Sequence, residues 1–133
     1  MIFVDSSVWI DYFNGKSTPQ SDWLDYLLGT QPVAIGELVL TEVLQGFKQD
    51  KEYNQAKELL LTLDYFTMLD QSIALKSADN FRALRKRGIT VRKTIDVLIA
   101  TFCIEKNLPL LQSDGDFTPF HEHFSLRNAL PGH

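Results

Sequence analysis

Short apolar runs alternate with longer stretches of helical periodicity along this chain, and that alternation decides most of what it can fold into. The runs lie at residues 1–4, 33–35, 65–69 and 108–111, with a weaker fifth near 125–129. Helices are expected from about residue 7 to 13, then at 21–28, 37–47, 50–63, 72–87 and 94–106. The spacing of apolar residues supports this: Val8, Trp9, Tyr12 and Phe13 share one flank of the first helix. Trp23, Leu24, Leu27 and Leu28 do the same in the second. Asn14-Gly15 and Gly88 mark helix stops. The helix at 94–106 is apolar on nearly every side, which predicts a central, buried position. Strands separated by helices pair through crossovers, so the expected fold is an α/β domain with a mainly parallel sheet. Such sheets bind ligands beyond the carboxyl ends of their strands.

Acidic residues stand where that rule looks first. Asp5 follows the first strand, and Asp114 and Asp116 follow the fourth in Gln112-Ser113-Asp114-Gly115-Asp116-Phe117. Two more acids interrupt apolar helical patterns: Glu42 among Leu38, Val39, Leu40, Val43 and Leu44, and Asp96 among Ile95, Val97, Leu98 and Ile99. A carboxylate in such surroundings is costly unless it is paired or binds a metal. No fixed cation is evident beside these acids in the sequence. Each has a structural explanation when taken singly. Asp5 can cap a helix, Thr94 can cap the helix that carries Asp96, and Asp114 and Asp116 can be turn residues beside Gly115. As a set they point elsewhere, because converging carboxylates repel unless something positive lies between them. Mg²⁺ or Mn²⁺ suits oxygen ligands and phosphoryl chemistry.

Charge and cysteine content narrow the classes. The formal net charge of -4 argues against a protein that coats nucleic acid through an overall positive field. Six of the 13 Lys and Arg residues nevertheless cluster: Arg82, Arg85, Lys86, Arg87, Arg92 and Lys93. That strip is either a solvated helix end, where cations favour the carboxyl terminus, or a phosphate-binding surface. The one cysteine, Cys103, lies among Ile99, Phe102 and Ile104 and is expected in the core. His121, His123 and His133 are expected at the surface rather than around a metal. Asp5 cuts off the apolar start and Thr101 interrupts the longest apolar stretch, so no export signal or membrane span is expected. A cytoplasmic location follows. The 133 residues fit a single domain, 1–133.

The chain resembles the PIN-domain ribonucleases, and within them the VapC-type toxins of toxin–antitoxin pairs. Four segments carry the likeness, in order: Val4-Asp5-Ser6-Ser7-Val8-Trp9-Ile10, Thr41-Glu42-Val43-Leu44-Gln45-Gly46, Thr94-Ile95-Asp96-Val97-Leu98-Ile99-Ala100, and Ser113-Asp114-Gly115-Asp116-Phe117. The resemblance implies a three-layer α/β/α sandwich around a mainly parallel sheet of four to five strands. It implies that Asp5, Glu42, Asp96 and Asp114 form an acidic quartet, with Asp116 as a fifth member. Ser6 matches the hydroxyl residue after the first aspartate, where the family more often has Thr, and Ser113 stands where Thr or Ser is usual. The implied activity is endonucleolytic hydrolysis of RNA phosphodiesters with one or two Mg²⁺ or Mn²⁺ ions, leaving 5′-phosphate ends. The implied partners are RNA, a cognate VapB-type antitoxin and a second copy of the chain. An acidic pocket repels RNA, so Arg85, Lys86, Arg87, Arg92 and Lys93 become candidates for phosphate contact.

Two other classes have similar outward features. A receiver-type signalling domain also combines this length, a parallel sheet and a Mg²⁺ site. It would show paired acids after the first strand, where this chain has one acid followed by two serines. A non-catalytic scaffold of the same fold would be expected to have lost some of its acids, and none is missing.

Overall fold

The computed structural model describes residues 1–132; His133 lies outside the described residues. Four strands form one sheet: β1 (Ile2–Val4), β2 (Val33–Gly36), β3 (Asp64–Phe66) and β4 (Leu110–Leu111), in the order β3-β2-β1-β4. Every pairing is parallel, with Phe3 opposite both Ala34 and Leu110. β1, β2 and β4 are buried throughout, which explains why they read as continuous apolar runs rather than alternating ones. The helices are α1 (Ser6–Phe13), α2 (Pro19–Leu28), α3 (Glu37–Leu44), α4 (Asp50–Leu60), α5 (Gln71–Lys86), α6 (Thr94–Glu105) and α7 (Thr118–His123), with a 3₁₀ turn at Gly115–Phe117.

Strand order and crossover hand together set the layers. The connections β1→β2 and β2→β3 move one way along the sheet, and β3→β4 returns across it. Right-handed crossovers therefore place α1 to α4 on one face and α5 and α6 on the other. The helix contacts follow that division: α1 touches α2 and α3, α3 touches α4, and α5 packs along α6. The result is a three-layer α/β/α arrangement. Phe3, Trp9, Phe102, Phe117 and Phe120 fill its interior. Cys103 is buried there too, and α6 buries seven of its 12 residues, as its all-round apolar pattern requires. Among the described residues no helix is long and apolar enough to cross a membrane.

Several boundaries differ from the sequence expectation for identifiable reasons. The third strand pairs over Asp64–Phe66 rather than 65–69, because the Met68 N–H donates to Glu37 Oε1 at 2.7 Å and leaves the ladder. The second helix starts earlier than residue 21, at Pro19, because Thr18 and Ser21 cap each other. The fifth strand is reduced to one parallel bridge between Leu110 and Asn128. Thr94 is not the cap of α6; Lys93 occupies that position and its side chain makes no capping bond.

Gly36, at the end of β2, carries a constraint that no turn motif announced. A methyl group there would overlap the Met68 side chain and lie 2.9 Å from the Phe66 carbonyl oxygen. Gly115 has open space around it. Gly36→Ala should therefore lower unfolding free energy by roughly 1–3 kcal/mol, measured by urea denaturation, while Gly115→Ala should change it far less.

Candidate active site

β1 and β4 are neighbours although they lie at opposite ends of the sequence, so the chain segments leaving them emerge side by side. The Asp5 N–H donates to the Leu111 carbonyl at 2.9 Å and fixes that adjacency. β1 thereby delivers Asp5, and the segment after β4 delivers Asp114 and Asp116. α6 brings Asp96 in its first turn. One carboxylate oxygen from each of Asp96, Asp114 and Asp116 lies within 4.8 Å of the others, a separation that one cation can bridge. Asp5 and Glu42 are not part of this tightest group, but both act on it through their charge. Asp5 and Asp96 are only 3% and 4% exposed, while Glu42, Asp114 and Asp116 are half-buried.

Two serines brace the acids, one of them missed by the sequence reading. Asp5 caps α1: its Oδ2 accepts from the Ser7 backbone N–H at 3.1 Å and the Ser7 hydroxyl at 2.6 Å. The Ser7 hydroxyl also accepts from the Ser113 N–H at 3.3 Å, which links the β1 and β4 ends. Ser113 thus enters through its backbone, and Ser7 supplies the hydroxyl at this junction. Ser6 Oγ donates to Glu42 Oε1 at 2.5 Å and joins α1 to α3. Asp114 Oδ1 accepts from the Asp116 N–H at 3.0 Å, which starts the 3₁₀ turn. The signal that could have exposed Ser7 is its place two residues beyond Asp5, the usual geometry of an N-cap bond.

The electrostatics are those of like charges crowded together. Burial pushes the Asp5 carboxyl above the usual carboxylate range, against the lowering effect of the Ser7 bonds, and the Glu42 charge adds to the rise. Burial raises Asp96 to about 7, with the Asp5 charge next in importance; Lys93 opposes the rise and Asp114 and Glu42 add to it. Among the described residues, Asp5 Oδ1 and Asp96 Oδ2 are buried without a hydrogen-bond partner. Orphaned carboxylate oxygens in an all-oxygen donor set are the environment a hard divalent cation satisfies. The residues present therefore fit such an ion.

The basic strip divides in two. Arg85, Lys86 and Arg87 lie at the carboxyl end of α5, where the helix dipole favours them, with Arg82 one turn before. Arg85 rests over the Phe81 ring at 5.5 Å, Lys86 is exposed, and Arg87 Nη1 lies 3.3 Å from His123 Nδ1. Arg92 and Lys93 instead turn to the acids. Arg92 Nη2 is 3.3 Å from both Asp116 oxygens, and Lys93 Nζ is 3.5 Å from Asp114 Oδ2. A cation thus does lie beside these acids, at the N-cap of the helix that carries Asp96, contrary to the sequence reading.

The raised Asp96 pKa has a definite stability signature. With the folded carboxyl raised to about 7 from an ordinary 3.8, the contribution of Asp96 to stability is fully present below about pH 4 and is lost as pH rises through 7. In chelator, Asp96→Asn should remove that component, so that the variant gains on wild type as pH rises from 4 to 8, read from urea unfolding across that range. Parallel pH profiles for the two proteins would contradict the assignment of this burden to Asp96.

The fold is shared with known proteins. The PIN domain family matches residues 2–120. Ribonuclease VapC11 of Mycobacterium tuberculosis is 29% identical over 119 residues, covering 88% of this chain and 89% of that protein. A chain in the crystal structure of VapBC2 from Rickettsia felis, bound to a promoter DNA fragment, superposes with a TM-score of 0.75 at 19% identity, covering 96% of this chain and 97% of that one. VapC20 of M. tuberculosis, described as a sarcin-ricin loop cleaving toxin, gives 0.68 at 18% identity, covering 93% and 96%. The two structures establish likeness of fold, and the family match runs from the first strand into the last helix: this chain belongs to the PIN domain family.

Proposed function

We propose that this chain is a divalent-metal-dependent endoribonuclease, the toxin of a type II toxin–antitoxin pair acting in the cytoplasm. The observation that carries the reading is the convergence of Asp96, Asp114 and Asp116 within 4.8 Å at the carboxyl edge of a PIN sheet. Its relatives bear the name of VapC ribonucleases, and VapBC complexes are among the structures of the same fold. Asp5, Glu42, Asp96 and Asp114 would hold the Mg²⁺ or Mn²⁺, with Asp116 as a fifth ligand. When bound, the ion would lower the pKa of water and stabilise charge on the phosphodiester oxygens.

The chain's own groups do the rest. Ser7 fixes the rotamer of Asp5, and Ser6 holds Glu42 against α1. These bonds keep the carboxylates in register before RNA arrives, so little reorganisation is needed during reaction. The two orphaned oxygens on Asp5 and Asp96 are the ones free to take a new partner. Arg85, Lys86 and Arg87 line the end of α5 as cations for backbone phosphates, offsetting the repulsion of the acidic pocket. The partners of this reading are RNA, a VapB-type antitoxin able to insert a basic side chain among the acids, and a second copy of the chain.

The test is direct. Purified protein incubated with total cellular RNA should generate new 5′-phosphate ends with Mg²⁺ or Mn²⁺ and none with chelator. Asp96→Asn and Asp114→Asn should each reduce cleavage about 10²-fold or more, whereas Glu58→Gln, an exposed acid on α4, should not. Full activity in Asp96→Asn would refute its role, and global unfolding of that variant would make Asp96 structural instead.

Charge reversal tests the strip. Changing Arg85 and Lys86 to Glu should weaken RNA binding and flatten its dependence on salt, with log K against log salt losing roughly one unit of slope per phosphate contact removed. Unaltered affinity and slope would remove these residues from the RNA path.

A further inference from the structure

We propose that Lys93 is a tethered counter-ion with two alternative partners: the Asp96–Asp114–Asp116 cluster in the metal-free protein, and an RNA phosphate once a divalent ion has taken its place. Arg92, held on Asp116, shares the role. The inference rests on the metal-dependent ribonuclease reading above and adds to it an order of events.

Position is the first argument. Arg92 and Lys93 stand immediately before the amino terminus of α6, and Lys93 is its N-cap. The helix dipole repels cations there, and an N-cap ordinarily supplies an acceptor side chain, which lysine lacks. Neither residue therefore serves the helix. The cations at the end of α5 have a favourable dipole to explain them; these two do not.

Geometry is the second argument. Lys93 Nζ lies 3.5 Å from Asp114 Oδ2, and Arg92 Nη2 lies 3.3 Å from Asp116. The two cations thus touch two of the three carboxylates close enough to share a metal. A divalent ion placed among those three acids would neutralise the charge that keeps Lys93 there and repel its ammonium.

Exposure is the third. The Lys93 side chain is 54% exposed and that of Arg92 76%. Ion pairs this open are weak, so the side chains can leave at little cost. The released ammonium stays anchored at the rim of the acidic site, where a phosphate bound beside the ion would lie. Binding of metal and RNA is then positively coupled, and coupling of this kind is reciprocal.

The test measures binding rather than turnover. Mn²⁺ affinity is measured by calorimetry on the full chain, and RNA affinity with a cleavage-resistant 2′-O-methyl oligonucleotide, with Mn²⁺ and with chelator. Lys93→Gln should bind Mn²⁺ about two- to fivefold more tightly, the change expected for losing a weak exposed competitor. Its RNA affinity should fall in Mn²⁺ but hardly change in chelator, so the coupling between metal and RNA shrinks. Lys51→Gln, which removes an exposed cation on α4 outside the basic strip, should leave Mn²⁺ affinity unchanged. Unchanged or weaker Mn²⁺ binding in Lys93→Gln overturns the proposal, as does an equal loss of RNA affinity with and without Mn²⁺. If the wild-type chain binds no Mn²⁺, the underlying ribonuclease reading fails with it; if wild type binds Mn²⁺ and cleaves RNA while Lys93→Gln behaves identically, only the counter-ion role fails.

Discussion

Carboxylates held close together without enough positive charge repel one another, and the carboxyl edge of this sheet is organised around that repulsion. Asp5 and Asp96 are almost wholly buried, and each keeps one oxygen without a partner. Burial of that kind opposes folding. It persists because the surrounding structure over-determines it. β1 and β4 are locked side by side, Ser7 holds Asp5 on one side, Ser6 holds Glu42 on the other, and an aromatic core centred on Phe3, Phe102 and Trp9 supplies the burial that offsets the cost. The same burial raises the Asp5 and Asp96 carboxyls above the ordinary carboxylate range.

Geometry separates cations that the sequence presents as one strip. Arg82, Arg85, Lys86 and Arg87 belong to the last turns of α5 and satisfy its dipole. Arg92 and Lys93 lie across a short loop, at the start of α6, where the same electrostatics would exclude them if the acids were absent. One group is exposed at the end of its helix, and the other lies against the protein's own acids.

Much of this was legible from local pattern. The strand–helix alternation gave a parallel α/β sheet, Asp5 was readable as a cap, and the all-apolar helix at 94–106 was readable as buried. The misses were local too, in part. Lys93 stands three residues before Asp96, the N-cap-to-N3 spacing at which side chains approach, and Ser7 stands two residues after Asp5. Both relations are present in the sequence. The third strand was shifted because a side chain from α3 captures the Met68 N–H, and the Gly36 constraint exists only because Met68 packs against it.

The sequence by itself determined the inventory: which residues are acidic, which helix carries each, and which positions follow a strand. It could not determine that Asp96, Asp114 and Asp116 share one small volume, or that Arg92 would reach Asp116 across 24 positions. Those proximities follow from strand order and from the hand of the crossovers, which set β4 against β1 and lay α6 across the opposite face. Periodicity reports a residue's relation to its own helix or strand. Which helices and strands become neighbours is decided by burying all their apolar faces at once, and no local segment carries that information.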